Sequence, residues 1–231
     1  MTVEVCVDSV TQASKAEANG ATRLELCANL NDGGTTPSAG MIEAVCSSTE
    51  IPVYTMIRPR PGNFVFDRDE MEIMKSDITT AKRSGAKGVV FGVLLENGWI
   101  DVENTLALLQ TARSEGMHVT FHRAFDVCPR PDAALAALIQ LQIDNILTSG
   151  QRRSAFEGLT FIQQLVEAAE GHINIIAGGG VSPENVLSIK QSGVQAIHFT
   201  ARKKAEEING FDFGEHWDFD TEKLQRIVSV F

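Results

Sequence analysis

No stretch of the 231 residues approaches the eighteen or so consecutive apolar residues of a membrane-spanning helix. Positive charge is scarce as well: 20 Lys and Arg stand against 30 Asp and Glu, a formal net charge of −10. Nucleic acids and anionic membranes are bound through basic patches, so neither is an expected partner. Cysteine is sparse and scattered. Cys6, Cys27, Cys46 and Cys128 include no Cys-x-x-Cys pair, which argues against a zinc knuckle or a disulfide framework. The opening Met1-Thr2-Val3-Glu4-Val5 lacks the basic region and apolar core of a signal peptide and reads as a strand. The cytoplasm is therefore the expected compartment. No Ser/Gly/Pro-rich linker divides the chain, so residues 1–231 are expected to form one domain.

What is present is the composition of a soluble globular protein, 43% apolar and 22% charged, able to bury a sizeable core. One pattern recurs eight times along it: a short β-rich run, a polar loop, then a helical stretch. The strand candidates begin near Val3, Arg23, Val53, Gly88, His118, Asn145, Asn174 and Ala196, spacings close to one βα unit. Met71, Met74, Ile78 and Ala81 form one stripe of an amphipathic helix, and Val102, Leu106 and Leu109 do the same after Asp101, a predicted N-cap. Ser182-Pro183-Glu184 reads as a helix start, with a capping hydroxyl, proline at the first position and a carboxylate in the first turn. Gly20, Gly85, Gly116 and Gly193 fall where helices should end. Strict alternation predicts a parallel sheet, and eight units predict a TIM-type (β/α)₈ barrel. A doubly wound open sheet is the alternative.

A barrel sorts the side chains. Val3, Val5 and Val7 should pack on the helices, turning Glu4, Cys6 and Asp8 inward. The same alternation turns Glu25 and Cys27 inward, then Tyr54, Met56, Arg58 and Arg60, then His118, Thr120 and His122, and last His198, Thr200 and Arg202. Barrel interiors are normally filled with Val, Ile and Leu. Charges placed there must pair, and Arg58 with Glu25 or Glu4 is the expected match. A structural ion-pair network is the plain reading of this set. A site is the other, because function in such barrels sits at the carboxyl ends of the strands.

Two stretches carry chemistry to that end. Thr120-Phe-His-Arg-Ala-Phe-Asp126 places His122, Arg123 and Asp126 at the end of the fifth strand. His122 is a candidate general acid or base, Asp126 or Glu25 its partnering carboxylate, and Arg58 an anion clamp. In the seventh unit Gly178, Gly179 and Gly180 let the backbone approach a ligand, and Arg202 ends the eighth strand as a counter-charge for an anion.

Taken together these motifs resemble the CutC family of copper homeostasis proteins. The resemblance is carried by Glu4-Val-Cys-Val-Asp-Ser9, Arg23-Leu-Glu-Leu-Cys27, Gly33-Gly-Thr-Thr-Pro-Ser38, Met56-Ile-Arg-Pro-Arg60, the Thr120 to Asp126 run, Ile146-Leu-Thr-Ser-Gly150 and Ala177-Gly-Gly-Gly-Val181. It covers roughly residues 3 to 202. Asn63 departs from it, standing where aspartate is expected. The resemblance implies a barrel, a cytoplasmic oligomer and a copper association, with Cys6 and Cys27 as the metal-binding thiols.

Two functions follow. One is Cu(I) binding, which soft thiolates favour. Cys6 and Cys27 lie on adjacent strands within reach of a shared ion, and Cys128 is placed to join from the rim. The other is an aldolase-, isomerase- or lyase-like enzyme acting on a small anionic metabolite, phosphorylated or not, at the barrel mouth. A homodimer or larger assembly is expected from the aromatic loop Gly62-Asn-Phe-Val-Phe66 and the tail Phe211-Asp-Phe-Gly-Glu-His-Trp217.

Overall fold

The computed structural model describes residues 1–205 and 217–231. Eight parallel strands close into a barrel in chain order: β1 (Thr2–Val7), β2 (Arg23–Leu26), β3 (Val53–Met56), β4 (Gly88–Phe91), β5 (His118–Phe121), β6 (Asn145–Thr148), β7 (Asn174–Gly178) and β8 (Ala196–Thr200). Because β1 pairs with both β2 and β8, the open-sheet alternative is excluded. Each expected strand start lies within one residue of the observed one. Eight helices complete the units: α1 (Val10–Ala18), α2 (Ala39–Ser48), α3 (Arg68–Arg83), α4 (Val102–Ser114), α5 (Pro131–Gln140), α6 (Leu159–Ala169), α7 (Val186–Gln191) and α8 (Thr221–Val228). A short antiparallel pair, β9 (Arg202–Lys204) and β10 (Trp217–Phe219), follows the barrel. No helix among the described residues is long and apolar enough to cross a membrane.

Local chemistry explains most boundaries. Asp67 and Glu70 form a reciprocal capping box that starts α3, and the predicted stripe Met71, Met74, Ile78 and Ala81 is buried. Asp101 caps α4 as expected. The buried face of α4 differs, however: Thr105, Leu108, Leu109 and Ala112 pack inward, while Val102 and Leu106 are exposed. Apolar residues occupy two overlapping stripes there, and docking on the barrel selects between them. In the seventh unit Ser182-Pro183-Glu184 makes a turn, and regular helix starts at Val186. The Asn185 side chain accepts from the Ser182 N–H and donates to the Gly180 carbonyl, which holds this first turn open. The helix-ending glycines Gly20, Gly85, Gly116 and Gly193 all take positive φ.

The main core lies between strands and helices and includes Val3, Val5, Val7, Leu24 and Leu26, the predicted outward set. Inside the barrel, Cys6, Cys27, Tyr54, Met56 and Val90 fill one side, and Leu147, Ile176 and Ala196 the other. Glu4, Glu25 and His198 share this interior.

Four expectations need correction. Arg58 pairs with neither glutamate; its guanidinium donates to the carbonyls of Asp32, Gly34 and Gly62. Strand β3 ends at Met56, so in/out alternation no longer governs Arg58 or Arg60, and Arg60 instead pairs with Glu70. His118 is largely exposed beside Asp144. The two aromatics of the loop are packed and form no exposed patch: Phe64 lies on the His122 ring at 4.8 Å, and Phe66 is buried beneath Arg60. In the tail, Phe211, Phe213 and His216 lie outside the described residues, and Trp217 sits in β10 against Arg202.

Candidate functional site

Strand register builds the site. Glu4 is opposite Arg23 on β2 and opposite His198 on β8, while Cys6, one inward step higher, is opposite Glu25. The fully buried Glu4 carboxylate thus accepts from Arg23 Nε and lies 2.7 Å from His198 Nδ1. Arg23, not Arg58, is the buried partner. Both begin in β-rich runs, but only Arg23 shares the level of Glu4 in the pleat.

Above this layer the Cys6 and Cys27 sulfurs are 3.7 Å apart. Glu25 Oε1 is 3.4 Å from Cys27 Sγ and 3.8 Å from Cys6 Sγ. The hydrogen bond from Cys27, and next the approach of His198, bring the Cys6 thiol down to about 6 against the opposing effect of burial. The same contact pushes the Cys27 thiol well up. Burial raises the Glu25 carboxyl to about 8. Burial pulls His198 downward, but the Glu25 charge and the bonds to Cys6 and Glu4 override it and hold the ring well above its ordinary range. The layer therefore favours negative charge on Cys6 and positive charge on His198.

These groups floor a cavity of about 300 Å³ that opens at the carboxyl end of the strands. Its far wall comes from His122, Arg123, Leu147, Gly179 and Gly180, with Lys223 of α8 at its edge. Asp126 does not contact His122. It receives Arg123 Nε, the Ser149 N–H and hydroxyl, and the Thr148 hydroxyl, so it anchors Arg123 to the sixth strand. Gly178 ends β7 against Leu147 and His198, where any side chain would collide. Arg202 stands apart from the cavity, donating to Asn31 and lying across Trp217. Arg58 stands behind the wall, over the Phe64 ring. Cys128 donates to the Ala124 carbonyl in the outer core and does not join the thiols. Cys46, on α2, packs against the outer core.

The roles of Lys223 and Arg23 were not read from the sequence. Lys223 sits on an amphipathic helix like any solvated lysine, and only barrel closure brings its ammonium to the Thr200 carbonyl. His198 was placed inward by alternation, but its ties to Glu4 and Cys6 depend on the pairing of β1 with β8, which no local signal specifies.

His122 titrates far from its ordinary range. Burial, and secondarily the charge of Arg58, pull it down to about 3 from 6.5. Its Nδ1 accepts the Ala124 N–H, so the neutral ring bears its proton on Nε2. As pH falls the unfolded chain takes up this proton first. The stability it contributes is complete above about pH 6.5 and is lost as pH drops toward 3. His122→Gln should therefore flatten the loss of stability between pH 6.5 and about pH 4 by on the order of 3 kcal/mol. Urea unfolding of both proteins at the two pH values measures this, and equal losses would refute it.

The donor set fits a soft metal ion. The two sulfurs stand 3.7 Å apart, close enough to share one ion, and thiolates favour soft ions. Cys6, Glu25 and Cys27 each offer a ligand atom within 4.8 Å of the others.

Comparison with known proteins bears on this geometry. The chain is 48% identical over 201 residues to the human copper homeostasis protein cutC homolog, covering 87% of this chain and 73% of that protein. It superposes on the crystal structure of a CutC from Streptococcus agalactiae with a TM-score of 0.81 and 36% identity, over 86% of this chain and 97% of the other. The thiamine phosphate pyrophosphorylase of Pyrococcus furiosus shares the fold, with a TM-score of 0.64 over 99% of this chain and 94% of the other, but only 12% of the sequence. The model of the CutC family matches residues 1–203, a span that includes both thiols, Glu25, His122 and His198, and by that match the chain belongs to the CutC family.

Proposed function

We propose that the protein binds Cu(I) through Cys6 and Cys27 at the floor of the barrel cavity and serves copper homeostasis. The observation that carries this reading is the pair of buried sulfurs 3.7 Å apart, open to a cavity and backed by Glu25. Thiolates select Cu(I) over harder ions. The Cys6 thiol is held below its ordinary range by its contacts with Cys27 and His198, which favours the thiolate that ligates. The human relative is named for copper homeostasis, which agrees with the donor set. Glu25 takes a supporting part: its Oε1 lies against both sulfurs and accepts from Cys27 Sγ, which holds the pair in place.

The test is a Cu(I) titration of the reduced full-length chain against a chromophoric Cu(I) chelator. Wild type should compete for the metal, and Cys6→Ser/Cys27→Ser should lose that ability while keeping its circular dichroism. Arg202→Ala should leave the affinity unaltered, because Arg202 bonds Asn31 and lies across Trp217, apart from the sulfurs. Copper held as tightly by the double serine variant as by wild type would end this reading.

A further inference from the structure

The thiols occupy only one end of the cavity. A single ion needs no more than the roughly 30 Å³ that one water takes, whereas the cavity measures about 300 Å³, the lower end of small-molecule sites. Its opposite wall holds a donor set that a metal ion does not use. His122 is 4% exposed, and its Nε2–H meets no acceptor among the described residues. A buried donor left unpaired costs about 1–3 kcal/mol, which a ligand oxygen would recover.

Arg123 faces the same space. Its Nε and Nη2 are fixed on Asp126 and Ser149, which sets the guanidinium plane before any ligand arrives. Its Nη1 lies 3.3 Å from where a Cβ of Gly179 would stand, so a glycine keeps that edge open to the loop. Gly179 and Gly180 both hold positive φ, which carries the backbone past the mouth. The N–H groups of Gly180 and Val181, both lining the cavity, donate to no acceptor among the described residues. Lys223 adds a second positive charge to the rim, its ammonium held on the Thr200 carbonyl.

We propose that the cavity binds a small organic oxyanion beside the thiols. Its charged group rests on Arg123 and the Gly180–Val181 N–H groups, and a second oxygen accepts from His122 Nε2. Phosphate esters and carboxylic acids share this chemistry, and the apolar walls of Leu147 and Phe64 suit a short carbon chain between the two polar points.

Calorimetric titration of the reduced, metal-free full chain with inorganic phosphate, glycerol 3-phosphate and pyruvate tests the site and separates the two sources. Saturable binding of either organic probe below about 10 mM is expected. Arg123→Met should weaken it by about ten- to hundredfold, the worth of a charge-assisted contact. His122→Phe should weaken the organic probe about tenfold and leave inorganic phosphate, too short to span both points, unaffected. Since Arg123→Met also removes a partner of Asp126, wild-type NMR provides a measurement free of folding effects: the Gly180 and Val181 amides and the His122 ring should shift on titration. Absence of saturable binding by all three probes, or shifts confined to other residues, would each overturn the proposal.

Discussion

Arg23→Met should destabilise this protein by on the order of 3–5 kcal/mol, the cost of stranding a buried charge. Glu4 is fully buried, and its carboxylate is satisfied by Arg23 Nε and His198 Nδ1. Methionine preserves much of the stem but removes the guanidinium that lies over the Tyr54 ring. The carboxylate then keeps only His198, inside an apolar shell. Removing both partners is a different case. Glu4→Gln/Arg23→Met leaves no lone charge, so it should lose less stability than Arg23→Met alone. Acid titration gives a second reading. Burial works to raise the Glu4 carboxyl, but the charge of Arg23, and then His198, hold it below its ordinary 4.5. A depressed carboxyl contributes stability above its unfolded value that is lost as pH falls below about 4.5. Arg23→Met should show a shallower loss over that range. Unfolding curves within about 1 kcal/mol of wild type would mean that the pair does not hold the barrel floor.

Gly158→Ala should be the most damaging glycine-to-alanine change among the described residues, costing on the order of 3 kcal/mol or more by overpacking. A Cβ at this position would lie 2.0 Å from the Ser149 carbonyl oxygen and 2.8 Å from the Gly150 Cα. Both obstacles are backbone, so no rotamer change relieves them. The consequence reaches the cavity wall, because Ser149 donates its N–H and hydroxyl to Asp126 and receives Arg123. Any displacement of Ser149 loosens Arg123, and anion affinity should fall with stability. Gly40→Ala is the matching control. Gly40 lies within α2 and a Cβ there meets nothing within 4 Å. That change should stabilise by about 0.4–1 kcal/mol, through helix propensity and a less disordered unfolded chain. Equal thermal midpoints for the two alanine variants would contradict the steric account.

The features legible in the sequence share a short range. The eight strand starts, the α3 stripe and the Asp101 cap each depend on residues within one turn or one strand of each other, where periodicity and hydrogen-bond chemistry act directly. The α4 stripe failed because Val102-Leu106-Leu109 and Leu108-Leu109-Ala112 are equally periodic, and only docking distinguishes them. The aromatic loop failed in the same way. Phe64 looks like a surface residue until the fold brings His122, 58 positions later, against it.

By itself the sequence determined the barrel, because eight βα units with inward and outward alternation have few other ways to bury their apolar faces. It also determined which residues of β1, β2 and β8 face the interior, since side chains on a strand alternate with period two. The partners inside were decided by tertiary structure alone. Register puts Arg23 at the height of Glu4 and Cys6 at that of Glu25, whereas Arg58, past the end of β3, is drawn to loop carbonyls. The energy of a buried charge depends on what stands within a few ångströms of it across the strands, and those distances exist only once the barrel has closed.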